Sequence, residues 1–425
     1  MGAAAMGAEA SAACGIDFGT SNSTVGVAHA GRGQLLALED DKLTLPSVVF
    51  FHAEDAHVSY GRHGLADYLS GHEGRLMRSL KSLLGTAMMD DFTEVAGRAV
   101  PFRDLLATFI GELKRRAEQS AGQRFTRAVL GRPVFFVDDD AAADQRAEDT
   151  LRSIAEQVGL TDVAFQYEPI AAAFDYESTL SREELVLVVD IGGGTSDFTL
   201  IRVSPERARA ADRKADILAS SGVHIGGTDF DRALNLASVM PTLGLGSLLK
   251  SGLQMPSSHY FNLATWHTIN LAYTRKSAAQ IADLQRDAVD KPKLARLQTL
   301  VDERSGHWLA MQVEAAKIAL SDAPAADMNL GRIAPGEHLA LHRPDFDGAI
   351  DALVGRVEAT VLAMLRDAGV PASQVDTVFF TGGSSGVPLL RERIAAVLGQ
   401  ARAVEGDRFG SIGAGLALDA QRRFG

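Results

Sequence analysis

Short apolar runs rich in β-branched residues alternate along this chain with longer stretches in which apolar positions recur every third or fourth residue. The first pattern predicts buried strands and the second amphipathic helices, so the alternation points to a layered α/β architecture. The strongest strand signal is 185–201, LVLVVDIGGGTSDFTLI, where two apolar runs flank a glycine turn and read as a hairpin. Residues 14–27, CGIDFGTSNSTVGV, repeat the design as strand, Asp, Gly-containing turn, Thr-Ser, strand. Further strands are expected at 34–38, 45–51, 127–131, 163–167, 215–222 and 378–380. Helices are expected at 74–84, 101–120, 141–158, 170–176 and 307–320, with a helical but irregular stretch over 240–304.

The two hairpins carry the chemistry. Gly192, Gly193 and Gly194 strip side chains from a turn, which lets a bulky anion approach backbone N–H groups. Asp190 and Asp197 flank that turn, and Asp17 precedes the turn of the first copy. Carboxylates beside a phosphate cradle repel both the phosphate and each other unless a cation such as Mg²⁺ lies between. A related motif near the start of each half of the chain predicts two similar lobes facing one cleft. A nucleotide phosphate tail would lie between the hairpins, with Asp17, Asp190 and Asp197 converging on the metal.

A length of 425 residues fits two lobes, and 46% hydrophobic content supplies an ample core. The net charge of −12 argues against nucleic acid or an anionic membrane as main partner. No apolar run reaches the roughly 18 residues a bilayer span requires. The single cysteine, Cys14, rules out an internal disulfide and suits a reducing cytoplasm. The Ala/Gly-rich start, 1–13, reads as a disordered extension, and the acidic run Asp138, Asp139, Asp140 as a solvated loop. His52, His57, His63 and His72 lack metal-ligand spacing. GLGSLLKS at 244–251 brushes the P-loop pattern, but Leu249 stands where the second glycine is required.

GIDFGTSNS, EPIAAAFDY, VVDIGGGTSDF, HIGGTDFD and FFTGGSSGVP occur in the order seen in the nucleotide-binding domain of DnaK-type heat-shock chaperones, which the chain resembles from about Gly15 to Ala420. The likeness is greatest to short bacterial chaperone-like proteins of the YegD type, which keep the ATPase body without a peptide-binding domain. The resemblance implies an actin-like ATPase fold: two lobes of related βββαβαβα topology around a nucleotide cleft, with smaller inserted subdomains. Lobe I is expected over 14–184 with an insert at about 46–105, lobe II over 185–408 with an insert at about 228–305, and 409–425 as a helix returning to lobe I. Asp17, Asp190 and Asp197 would hold Mg²⁺, mostly through water, with monovalent cations such as K⁺ nearby. Thr20, Ser21 and Thr195 would bond phosphate oxygens, together with backbone at Gly19, Asn22, Gly192, Gly193 and Gly194. Lys81, in LKSLLG, matches the family lysine that approaches the γ-phosphate and the attacking water, and Glu168 the glutamate beside that water. Gly226 and Gly227 form a further glycine turn. Glu314, Lys317 and Ser321, on one helix face, would meet ribose and adenine edges, and Gly382, Gly383 and Ser384 would lie against the nucleoside.

The sequence departs from the family where adenine is clamped by two arginines, because Ile318 and Gly386 occupy those positions. A guanidinium stacked on an aromatic face is worth about 0.5–2 kcal/mol, so weaker nucleotide binding is expected and the choice between ATP and GTP is open. Pro133 and Arg146 resemble the family's proline–arginine relay. The chain ends at Gly425, where a full chaperone would continue into its peptide clamp. The resulting expectation is a slow, Mg-dependent ATPase acting as a nucleotide-gated switch for an unknown partner protein, binding ATP and ADP. The alternatives are a nucleotide-sensing module with little turnover, a small-molecule kinase, and an actin-like filament former.

Overall fold

The computed structural model describes residues 12–425 apart from 55–56, 96, 138–139 and 211. Most of the expected N-terminal extension, and Asp138 and Asp139 of the acidic run, therefore lie outside the described residues. Two large sheets dominate. In the first, the strands run in the order Asp162–Tyr167, Phe125–Arg132, Ala12–Phe18, Asn22–His29, Arg32–Leu35, with Leu45–Pro46 pairing onto Asn22–His29. In the second the order is Ile217–Val223, Ser196–Val203, Glu184–Ile191, Thr377–Thr381, Arg402–Glu405. Each sheet has the same plan. A central strand ending near an Asp pairs antiparallel with its hairpin partner on one side and parallel with a distant strand on the other.

The continuous apolar run of the second sheet's central strand is explained by burial on both faces. Leu187, Val189 and Ile191 enter one core with Phe198, Phe230 and Phe380, while Val186 and Val188 enter another. This second cluster joins the sheets. It holds Val129 from the first sheet, Ile170 to Phe174 from the helix Glu168–Glu177, and Leu416 and Ala420 from the last helix, Ser411–Phe424. The last helix also lies on the first sheet, close enough that a Cβ on Gly15 would stand 2.2 Å from the Ala417 nitrogen. Among the described residues no helix is long and apolar enough to cross a membrane.

The segment expected as a helix over 74–84 is a strand, Gly74–Arg78, followed by a single 3₁₀ turn, Leu80–Leu83. The helical pattern over 74–84 was a local signal, and tertiary pairing overrode it: Phe50 aligns with Leu76 and Val49 with Met77 in a small three-stranded sheet. Ser79, left-handed at φ 56°, makes the corner between the two pieces. The apolar run at 45–51 likewise divides at Ser47, giving Leu45–Pro46 to the first sheet and Val48–His52 to the small one. The helix Phe102–Ala121 follows its sequence pattern closely, burying Phe102, Leu105, Phe109, Leu113 and Ala117 at helical spacing and stopping at Gly122, φ 65°.

Candidate functional site

The Asp17 strand leads into the Gly19–Ser21 turn, where Thr20, Ser21 and Asn22 are half-buried. Ser47 braces that turn: its hydroxyl donates to the Gly19 carbonyl (2.6 Å), its N–H donates to the Ser21 carbonyl (2.9 Å), and its oxygen lies 3.0 Å from the Ser23 hydroxyl. In the second hairpin Asp190 sits directly across from Asp197. The Gly192 N–H donates to the Thr195 carbonyl (2.9 Å), and the Thr195 hydroxyl donates to Asp197 Oδ2 (3.0 Å). The two turns meet, since a Cβ on Gly193 would stand 2.2 Å from Ser21 Oγ. The Gly226–Gly227 turn clasps the second hairpin from behind. The Gly227 N–H bonds the Gly192 carbonyl (3.0 Å), and the Thr228 N–H and hydroxyl both bond the Gly193 carbonyl (2.8 and 2.9 Å).

Lys81 enters from the 3₁₀ turn and donates to Glu168 Oε1 at 2.6 Å, with both side chains nearly buried. Glu168 opens the helix Glu168–Glu177, where the exposed N–H groups favour a carboxylate. Burial alone would pull the Lys81 ammonium down, but Glu168, Asp17 and Asp190 outweigh it and hold it above its ordinary range. Burial, then the charge of Glu168, raises the Asp17 carboxyl against the pull of Lys81. Burial, then Asp197, Glu168 and Asp17, pushes Asp190 up to about 8. Three carboxylates thus share one ammonium, with Asp197 beside Asp190, a charge excess that suits a hard cation. The donors are all oxygen, the set Mg²⁺ prefers, and that ion usually keeps several waters. Among the described residues no three His, Cys, Asp or Glu side chains are arranged to grip an ion directly.

Beyond the Gly226–Gly227 turn, the helix Gly306–Asp322 carries Glu314 exposed, Lys317 buried and Ser321 half-buried. The Lys317 ammonium pairs with Asp231 Oδ1 (2.9 Å) and donates to the Gly227 carbonyl (3.2 Å), while the Ser321 hydroxyl donates to the Lys317 carbonyl (3.1 Å). Burial raises Asp231 to about 6 although Lys317 opposes the shift. Gly382, at φ 83°, has to lack a side chain, because a Cβ there would lie 2.3 Å from Asp190 Oδ1. The Ser384 N–H donates to the Ile191 carbonyl (3.0 Å), and Ser384 Oγ would stand 2.2 Å from a Cβ on Gly227. The structure thus brings Gly382 and Ser384 of the Gly382–Ser384 turn, the Gly226–Gly227 turn and Lys317 against the end of the Asp190 strand.

Sequence reasoning missed a set of contacts that crosses between segments near Tyr68 and near Trp266. The Arg78 guanidinium lies 4.2 Å from the Trp266 ring centre. The Tyr68 ring meets His307 edge-on at 5.0 Å and His307 meets Trp266 at 4.7 Å. His307 Nε2 faces the Trp266 carbonyl (3.2 Å), which can only accept, so Nδ1 is free to accept from the Tyr68 hydroxyl (3.3 Å). Asn270 donates to that hydroxyl (3.4 Å). Burial lowers His307 to about 4, so it is neutral near pH 7. Burial lowers Arg78 too, with Glu314 and Asp231 opposing. No signal in the local sequence marks these pairs.

The arginine bonded to Pro133 in the structure is not Arg146. The group tied to Pro133 is Arg132, whose Nε donates to the Pro133 carbonyl (3.1 Å) while its other nitrogens pair with Asp144 (2.8 Å) and Glu148 (2.5 Å). Arg146 is exposed. Two carboxylates of the following helix, Ala141–Gln157, turn toward Arg132.

A family model described as Hsp70 protein matches residues 13–104, 89–238 and 283–421. Chaperone protein HscA of Citrobacter koseri is 28% identical over 430 aligned residues, which cover 96% of this chain and 58% of that protein. HscA of Salmonella typhimurium shows the same 28% identity and coverage, and HscA of Shigella boydii serotype 18 is 27% identical. The chain spans 58% of the length of these curated relatives.

Proposed function

The chain belongs to the Hsp70 family, and from that premise we propose that it binds ATP with Mg²⁺ in the cleft between its two sheets and hydrolyses it slowly as a switch read by a partner protein. The observation that carries this reading is the meeting of the two Asp-bearing hairpins at Gly193 and Ser21, with the Lys81–Glu168 pair beside them. In this reading 14–184 and 185–408 act as lobes, with inserts at about 46–105 and 228–305, and closure of the cleft is the output. Asp17, Asp190 and Asp197 would hold hydrated Mg²⁺, which when bound offsets phosphate charge. Ser21, Thr20, Thr195 and the backbone from Gly192 to Gly194 receive the phosphates. Lys81 places a fixed ammonium where charge builds on the γ-phosphate, and Glu168 holds Lys81 and orients the attacking water. Donors of this kind lower barriers by about 3–4 kcal/mol. The buried thiol of Cys14 suits a reducing compartment such as the cytoplasm.

Single-turnover hydrolysis of Mg-ATP tests this. Phosphate release should depend on Mg²⁺ and fall about 100-fold or more in Lys81→Ala and Asp190→Ala. Release no faster than background, or undiminished in both variants, would contradict catalysis. Ile318 and Gly386, in place of stacking arginines, favour a second reading in which nucleotide is bound and sensed without turnover. Calorimetric binding of ATP without phosphate release would select it.

A further inference from the structure

The glycine turn at the nucleoside end is covered by a segment from elsewhere in the chain. A Cβ on Gly383 would stand 2.7 Å from Cε1 of Phe409. One on Gly386 would stand 2.5 Å from Nη1 and 2.6 Å from Cζ of Arg408. The Arg408 guanidinium therefore occupies the space that any side chain at position 386 would need. The segment that carries both residues is fixed. The Gly406 N–H bonds the Phe380 carbonyl (3.1 Å), the Phe409 N–H bonds Asp407 Oδ1 (3.1 Å), and the Ser411 N–H bonds the Asp407 carbonyl (3.1 Å) before the last helix begins. On this anchored segment Phe409 still leaves 49% of its surface exposed, and Ile318, next to Lys317, leaves 53% exposed. A large ring held over a glycine turn with about half of its surface open is a stacking platform in want of a partner. The same turn touches Asp190 through Gly382 and the Gly227–Lys317 corner through Ser384.

We propose that Phe409 and Arg408 are the base-reading residues of this cleft: Phe409 stacks on the base of a nucleoside triphosphate, and the Arg408 guanidinium lies against the same ring system. The inference rests on the nucleotide reading above and adds to it which residues recognise the base. Recognition then comes from a segment outside the glycine turn and works chiefly by stacking. Stacking accepts any base face, so the ligand class is a nucleoside triphosphate read by its ring surface more than by its hydrogen-bonding edge.

Calorimetry on the full chain with two probes, Mg-ATP and inorganic tripolyphosphate with Mg²⁺, separates base from phosphate recognition. Phe409→Leu keeps apolar bulk over Gly383 while removing the ring, and Phe409→Trp restores a ring. Phe409→Leu is expected to weaken Mg-ATP about tenfold or more, the loss of one base–aromatic stack, with tripolyphosphate held within about twofold and Phe409→Trp near wild type. Arg408→Gln should also weaken Mg-ATP selectively. An equal loss for both probes, or a loss for Mg-ATP below about threefold, overturns the inference. A wild-type chain that binds neither probe overturns the nucleotide reading itself, and the inference falls with it.

Discussion

In the proposed reading, Trp266→Ala is expected to speed nucleotide release by removing the contacts between the segments near Tyr68 and near Trp266. Arg78 stacks on Trp266 at 4.2 Å, and burial has already stripped its guanidinium of part of its water. A cation–π contact of this kind is worth about 0.5–2 kcal/mol. The edge contact of Trp266 with His307, at 4.7 Å, is worth about 0.5–1.5 kcal/mol and holds His307 against Tyr68. Losing both destabilises the closed state by about 1–3 kcal/mol, which corresponds to roughly 5- to 150-fold faster release. Stopped-flow chase of a ribose-labelled fluorescent nucleotide measures it, with a thermal melt to show that the variant is folded. Tyr68→Phe removes only the hydroxyl and should speed release roughly fivefold, since one hydrogen bond is worth about 1 kcal/mol. Because burial lowers His307 to about 4, it stays neutral and the Tyr68–His307–Trp266 contact itself adds no titration between about pH 6 and 8. An unchanged release rate in a folded Trp266→Ala variant would refute a role for these contacts.

Three other substitutions probe the site and its frame. Asp190 is held at about 8 against an ordinary 3.8, so its burial costs nothing below about pH 4, where it is neutral in both states, and the cost grows as pH rises until it is complete above about 8. Asp190→Asn should therefore raise the melting temperature of metal-free protein at pH 9, by about 1–3 kcal/mol of stability once water entry is allowed for, with the gain shrinking toward pH 4. A gain that is larger at pH 5 than at pH 9 would contradict this. Ser47→Ala removes the hydroxyl that braces the Gly19–Ser21 turn. It should cost about 1–2 kcal/mol in denaturant titration and weaken binding of Mg-ATP as well. Gly15→Ala would drive a methyl to 2.2 Å from the Ala417 backbone nitrogen, and should cost at least about 1–3 kcal/mol by pushing the last helix off the first sheet.

The hairpins were legible because their signal is local. An apolar run, an Asp and a glycine turn within a few residues fix both the strand pair and its chemistry, and Asp190 stands opposite Asp197 in the register that spacing implies. Lys81 was legible only by family likeness, and its surroundings were misread. Whether 74–84 is helix or strand depends on Val48–His52, a partner outside the window that periodicity examines. The contact between Tyr68 and His307 was more remote still, since they lie 239 residues apart and neither carries a local mark of the other. Phe409 read only as the first residue of the returning helix and Arg408 carried no reading, because their meaning comes from the glycines they cover. What was illegible was long-range packing between elements that were individually plain.

The central claim is that the hairpins at Asp17 and Asp190 share one hydrated magnesium with a triphosphate. A crystal of the protein soaked with Mg²⁺ and a non-hydrolysable ATP analogue tests it most directly. The account predicts metal density between Asp17, Asp190 and Asp197, with phosphates lying over the Ser21 and Gly193 turns and within reach of Lys81. Phosphates bound elsewhere, or the aspartates turned away from a metal that other groups hold, would contradict it.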